Sequence, residues 1–449
     1  MSESFDLVVV GSGPGGHAVA EQSARLGAKV AVIEKKEWGG VCTNEGCIPT
    51  KALLACSHAY SELRKIKRLG IQAEGSFDFA AVKRHQNQIV RVSSLGVQKS
   101  LREAGVRLVQ GHAKILSPNE IKVASSQEEC LFTAKNVVIA CGSIPSFPPG
   151  IHPAGRILSS GEFLAMNRLP GSVLILGGGG IGLEFASFLS GLGCRATIIE
   201  LMDQVLPYED GEAARFIQKE LEKSGIEIIT SARAEKITDT GDCVRIEISR
   251  GGEARLLEAE LALICSGRKP ALNREELSNL GIIFSEKGIR VDARQQTSTE
   301  GVFAVGDVTG SPLLAHRAAQ QGKALASALF GDGSVIYDEN CVPSVSYTRP
   351  GLARVGLTEN AARSMGVSFE VKRSDFGANI LARAELKGNG FFKALFSKDR
   401  LIGATLVCEG AAELIAGMGL ALAAGLGPSD LKKWIIAHPT LSETLDLWH

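Results

Sequence analysis

A glycine-rich turn occurs twice in this chain at a constant offset, and that duplication restricts the possible folds more than any other feature of the sequence. Gly11, Gly13, Gly16, Ala20, Leu26, Gly27 and Glu34 each find an identical residue 166 positions later, at Gly177, Gly179, Gly182, Ala186, Leu192, Gly193 and Glu200. In both places the turn follows a short apolar run, residues 6–10 or 172–176, suited to a buried parallel strand, and opens a helix-permissive stretch. A second strand then ends in the acid, twenty-three residues after the first glycine. A bound dinucleotide has these requirements. Glycine lets the backbone approach a pyrophosphate, the helix N-terminus stabilises its charge, and the acid accepts hydrogen bonds from ribose hydroxyls. One such motif is weak; two at a fixed offset predict a duplicated architecture and two dinucleotides.

Both halves close alike, with a strand and a turn at residues 136–145, containing Cys141-Gly142-Ser143, and at 261–270, containing Gly267-Arg268. These edges predict domains at 1–145 and 146–270. A central domain, 271–337, holds one more buried strand ending at Gly306-Asp307. From 338 to 449, alternating runs such as 391–396 and 401–407 precede a Gly/Ala-rich helical stretch, as in an α+β domain. The expected fold class is α/β: two Rossmann-like dinucleotide-binding domains plus a C-terminal α+β domain.

Composition removes several functions. The 449 residues carry 49 basic and 49 acidic side chains, so no whole-chain field draws the protein to nucleic acid or an anionic membrane. The basic cluster at residues 64–68 is expected on a solvated helix face. The most apolar segment, 411–427, is interrupted by Glu413 and several glycines, which suits a packed helix better than a membrane span. The acidic N-terminus does not resemble an export leader, and ten cysteines are too sparse for a disulfide scaffold. A cytoplasmic protein with mostly free thiols is expected, in which a disulfide would be chemical rather than structural.

Chemistry concentrates at Cys42 and Cys47, five residues apart between Gly39-Gly40 and Pro49. The glycines bend the chain and Pro49 starts a helix, so two sulfurs can come within bonding distance with Cys47 near a helix N-terminus, where the dipole favours a thiolate. Lys51, one helical turn further on, adds its charge to the same side. Two other readings stand beside this one. Inert buried thiols are one; a zinc site is the other, although it needs four ligands and Cys56 and His58 do not stand at knuckle spacing. Thiol–disulfide exchange benefits from a base, and His438, with Pro439 behind it and Glu443 five residues on, is the histidine whose setting suits one. A surface histidine is the bland alternative there, and it is the reading given to His17, His58, His85, His112, His152, His316 and His449. At the second glycine turn, no base follows Glu200 to hold a 2′-phosphate, which favours NAD over NADP.

Taken together, residues 39–51 and 438–443 resemble the flavin-dependent pyridine nucleotide disulfide oxidoreductases, and the likeness runs from about Phe5 to Leu445. Residues 48–54, 314–316, 355–359 and 437–443 are most similar to members of that family that oxidise dihydrolipoamide. The resemblance implies FAD at Gly11, Gly13, Pro14, Gly16 and Glu34, with Gly142 and Asp307 completing its site, and NAD at Gly177, Gly179, Gly182, Glu200, Gly267 and Arg268. It also implies that Cys42 exchanges with substrate and that Cys47 lies against the flavin. Lys51 would face the flavin and pair with Glu184. His438 and Glu443 would come from a partner subunit across a homodimer built by the C-terminal domain. The implied partners are separate lipoyl-bearing proteins of 2-oxo acid dehydrogenase or glycine cleavage systems. A reductase of a small disulfide such as glutathione disulfide is the alternative, and a non-catalytic flavoprotein a third reading. Two departures from the family pattern stand out, Cys141 where threonine is usual and Gly351 where glutamate is usual after Pro350.

Overall fold

The computed structural model describes residues 3–124 and 129–447, so His449 lies outside the described residues. The first sheet is parallel in the order Arg107–Gln110, Val30–Glu34, Glu3–Val10, Glu129–Ile139, with Val302–Ala304 along the C-terminal half of the last of these. The N-terminal half of Glu129–Ile139 continues instead into an antiparallel extension, Glu120–Ala124 and His112–Ser117. The first strand reads as an unbroken apolar run because both of its faces are covered. Leu7 and Val9 pack with Val19, Ala20 and Leu325, while Val8 packs with Ile33, Val137 and Val302.

The second half repeats the plan. Its sheet is parallel in the order Glu227–Ile229, Arg195–Ile199, Ser172–Leu176, Leu261–Ile264, Ile157–Ser159. A three-stranded antiparallel sheet, residues 233–259, covers one face, where Ile246 and Leu257 meet Leu174 and Ile199. The two closing turns also pair with each other: Ser143–Pro145 runs antiparallel to Arg268–Pro270, which ties the halves together beside both glycine turns.

Five antiparallel strands form the C-terminal sheet, in the order Ser344–Ser346, Gly351–Gly356, Arg400–Cys408, Phe391–Ser397, Glu370–Asp375. Helix Ala411–Ala423 buries Ile415 and Met418 against Phe392 and Leu406 on one face. The other face, through Leu352, Phe391 and Val407, joins a core shared with Leu53 and Leu54 of helix Cys47–Lys65 and Phe185, Phe188 and Leu189 of helix Gly180–Gly191. The inner strand Phe391–Ser397, between Arg400–Cys408 and Glu370–Asp375, is therefore buried on both faces where alternation was expected. Even Lys393 in its middle is only 2% exposed, because its ammonium meets Asp210 at 2.8 Å, Glu359 at 2.7 Å and Glu212 at 3.2 Å. Among the described residues no helix is long and apolar enough to cross a membrane. The fold class is the α/β arrangement of two Rossmann-like units and an α+β domain.

Candidate active site

The two glycine turns are built alike to atomic detail. Gly11 and Gly177 both have left-handed backbone, at φ 107° and 110°, and a Cβ on either would lie 2.4 Å from the carbonyl oxygen of Ala140 or Cys265 on the closing strand. A Cβ on Gly16 or Gly182 would lie 1.9 or 2.0 Å from the carbonyl oxygen of the first glycine, so helix and strand could not approach. Gly13 and Gly179, by contrast, have nothing within 4 Å, and both face one large cavity of about 990 Å³. The acids are held alike as well. Glu34 accepts from the backbone N–H groups of Ser12 (2.8 Å) and Lys36 (2.9 Å), and Glu200 from those of Gly178 (2.6 Å) and Met202 (2.7 Å). Each carboxylate is buried and anchored at its turn, with lone pairs left for ribose hydroxyls.

Pro14, Glu34, Gly142, Asp307 and Arg268 line the same cavity as Gly11, Gly13 and Gly16. Asp307 Oδ2 accepts from Ser143 Oγ at 2.6 Å, and Arg268 donates to Ser143 through Nε (2.8 Å, to Oγ) and a terminal nitrogen (2.7 Å, to the carbonyl). Burial pulls the Arg268 guanidinium below its usual range while Asp307, Glu45 and Cys47 oppose the shift. Sequence reasoning missed Ser143, whose only signal is its place in the closing turn. A glycine cradle beneath open space, a buried acid and a continuous cavity suit a dinucleotide at the first motif, whose turn shares that cavity with the two sulfurs. The second motif has the same cradle and acid but meets this cavity through Gly179, while Gly177, Gly182, Glu200 and Gly267 do not line it.

Cys42 lies in the short helix Gly40–Asn44, and Cys47 begins helix Cys47–Lys65. Both are thiols, both line the cavity, and they are hydrogen-bonded to each other. That hydrogen bond, the Lys51 charge and the backbone N–H of Cys47 lower the Cys47 thiol to about 7 against the opposing effect of burial. The same bond and burial push the Cys42 thiol strongly upward. Of the reduced pair, Cys47 is the thiol that ionises first and Cys42 the one that keeps its proton longer. Lys51 Nζ stands 2.8 Å from Glu184 Oε2, which joins the first half to helix Gly180–Gly191 of the second. No group of three or more His, Cys, Asp or Glu side chains among the described residues could hold a metal ion.

His438 Nδ1 lies 2.8 Å from Glu443 Oε1, and the other carboxylate oxygen accepts from the Thr440 N–H at 2.9 Å, so the carboxylate orients the ring. The histidine side chain is 74% exposed, and neither residue lines the cavity. Within one chain the pair is formed but kept apart from the sulfurs. Of the departures, Cys141 is exposed on the cavity wall, and Gly351 opens strand Gly351–Gly356. His58 is not an ordinary surface histidine: its Nε2 is buried without a hydrogen-bond partner, and burial together with Arg349 and Lys65 lowers it to about 4.

Comparison with known proteins agrees along the whole chain. Residues 5–322 match the family described as pyridine nucleotide-disulphide oxidoreductase, and residues 342–447 match that family's dimerisation domain. The dihydrolipoyl dehydrogenase of Geobacillus stearothermophilus is 35% identical over 98% of this chain and 94% of its own length; that of Chlorobaculum tepidum is 36% identical over 99% and 96%. Among solved structures, LpdA from Mycobacterium tuberculosis superposes with a TM-score of 0.91 at 26% identity, covering 98% of this chain and 97% of its own. The Escherichia coli flavoprotein disulfide reductase RclA, in its Cu(II) complex, gives 0.87 at 30% identity, covering 99% and 98%. With paired glycine turns, a thiol pair between them and full-length likeness, the chain belongs to the pyridine nucleotide-disulphide oxidoreductases.

Proposed function

We propose that this protein oxidises dihydrolipoamide carried on separate lipoyl-bearing proteins of 2-oxo acid dehydrogenase or glycine cleavage systems, and delivers the electrons to NAD+. FAD and NAD are its cofactors, and FAD, bound along the first glycine turn, supplies the two-electron link between sulfur and nicotinamide. The observation that carries the reading is the Cys42–Cys47 pair, hydrogen-bonded on the wall of the cavity that both glycine turns face.

The chain's own residues supply the remaining chemistry. With its Nδ1–H directed at Glu443, His438 has Nε2 as the basic nitrogen, which takes the proton of a substrate thiol. The resulting thiolate attacks Cys42 Sγ of the Cys42–Cys47 disulfide, and the S–S bond breaks to leave Cys47 as thiolate. Attack by the second substrate thiol on the mixed disulfide then closes the lipoyl ring and releases Cys42, which takes up that thiol's proton, so the two substrate protons end on His438 and Cys42. Lys51 stabilises the charge left on Cys47, and Glu184 orients Lys51. Gly177, Gly179, Gly182 and Glu200 hold NAD, with Gly267 and Arg268 at the closing turn beside it. A 2′-phosphate would meet the buried Glu200 carboxylate, which argues against an NADPH-linked glutathione-type reductase.

The exposed His438–Glu443 pair finds its sulfurs in a homodimer, where each active site combines the cysteines of one subunit with the base of the other. The matched dimerisation domain and the absence of the pair from its own cavity support this arrangement. A reducing, cytoplasmic setting suits ten cysteines that all stand as free thiols. The test is anaerobic titration of the FAD-loaded protein with dihydrolipoamide. NADH should form stoichiometrically when NAD+ is added, Cys42→Ser should abolish turnover, and His438→Gln should lose at least about a hundredfold while FAD stays bound. Failure of dihydrolipoamide to yield NADH from FAD-loaded dimer would exclude it as substrate.

A further inference from the structure

We propose that Tyr347, which the C-terminal domain contributes, is a positioning residue that holds the Lys51 ammonium where its charge stabilises the Cys47 thiolate. The proposal rests on the reading of Cys47 as the thiolate of the pair, and not on which dithiol the protein oxidises. Tyr347 touches both members of the Lys51–Glu184 pair. Its ring centroid lies 4.1 Å from Lys51 Nζ, and its backbone N–H donates to Glu184 Oε1 at 3.1 Å. Glu184 is buried, with one carboxylate oxygen engaged by Lys51 and the other by Tyr347. The ammonium is thus gripped between a carboxylate from the second half and an aromatic face from the C-terminal domain. Lysine has a long flexible stem whose charge is otherwise free to move toward water, and a ring at this distance opposes that motion.

The same segment holds the other end of the helix separately. Arg349, two residues on, forms an ion pair with Glu62 and lies 3.7 Å from Glu409, which in turn meets Lys65 at 3.3 Å. Tyr347 therefore works at the Cys47 end of helix Cys47–Lys65 and Arg349 at its C-terminal end, so a local effect on the thiolate can be told from a general loosening. The charged and titratable groups that act on Cys47 are Cys42, Lys51 and Glu184, with Arg268 and Tyr347 close enough to feel its charge. Of these, only Lys51 and Arg268 are cations, and only Lys51 lies under the ring. A phenyl ring does this as well as a phenol, which separates the aromatic face from the hydroxyl.

The experiment is a pH titration of the long-wavelength thiolate-to-flavin absorbance in FAD-loaded dimer that has been reduced by two electrons without any thiol substrate. Tyr347→Phe should keep the wild-type midpoint, and Tyr347→Leu should raise it by about one pH unit, leaving roughly three- to tenfold less thiolate at neutral pH. In a Lys51→Met background, Tyr347→Leu should add nothing. Arg349→Gln should lower the melting temperature and leave the midpoint in place. An unchanged midpoint in Tyr347→Leu, an equal shift in Tyr347→Phe or Arg349→Gln, or an additive effect in the Lys51→Met background would each overturn the proposal. Should the leucine variant not fold, Tyr347→Met, which keeps bulk without a π face, carries the same expectation. Because no lipoyl substrate is present, failure of the dihydrolipoamide reading leaves this result standing, and the reverse also holds.

Discussion

Cys47 gains its acidity from two neighbours and its own backbone N–H, and their combined effect fixes a pH window. The Cys42 hydrogen bond, the Lys51 charge and the local backbone N–H lower it to about 7, while burial raises Cys194 to about 11 and Cys408 to about 12. An ultraviolet thiolate titration of the reduced, flavin-free protein should therefore show a step near pH 7 that is missing from Cys47→Ser. A lowest step at 8.5 or above would contradict the geometry. The sign for stability follows from the same shift. A depressed thiol stabilises the fold fully above its unfolded pKa, and that contribution is lost as pH falls through about 7. At this scale legibility depended on sequence distance. Cys42, Cys47 and Lys51 lie within one short segment and their spacing already suggested a thiolate, whereas Lys51 and Glu184 are 133 positions apart and only family likeness paired them. Tyr347 gave no local sign and Ser143 only its place in the closing turn, since what each contributes is a contact with a residue distant in the chain.

At the scale of elements, the strand, turn and helix units were legible because each glycine answers a local demand of backbone geometry. The demands differ within one turn, and this allows fold and binding to be separated. Gly182 is packed against the Gly177 carbonyl, so Gly182→Ala forces backbone apart and should cost about 2–3 kcal/mol, read as a lowered melting temperature. Gly179 faces open cavity, so Gly179→Ala should leave melting and FAD content unchanged while raising the KM for NAD+ about tenfold or more. Equal melting temperatures for the two variants would refute this division of labour. The strand Phe391–Ser397 was harder to read. Its second covered face is supplied by the other domains, and Lys393 is tolerated inside only because Asp210, Glu212 and Glu359 surround its ammonium.

The arrangement of the whole molecule follows from a division visible in one chain: the sulfurs line an internal cavity, and the histidine that would serve them stands oriented but outward on the C-terminal domain. A composite site makes a quantitative claim about mixed dimers. Take Cys42→Ser and His438→Gln subunits, each inactive as a homodimer, and let them exchange at equal concentration. Random reassortment makes half of the dimers mixed. In a mixed dimer one site combines the damaged cysteine with the damaged histidine, while the other combines the intact cysteines of the His438→Gln subunit with the intact histidine of the Cys42→Ser subunit. One working site in half of the dimers is roughly a quarter of wild-type turnover. If each chain completed its own site, no mixed dimer would contain a working one and activity would stay at the level of the parents. Recovery to about a quarter, appearing at the rate of subunit exchange, is therefore expected of sites shared between subunits, and persistent inactivity after exchange has been shown by mass would assign His438 to some other task.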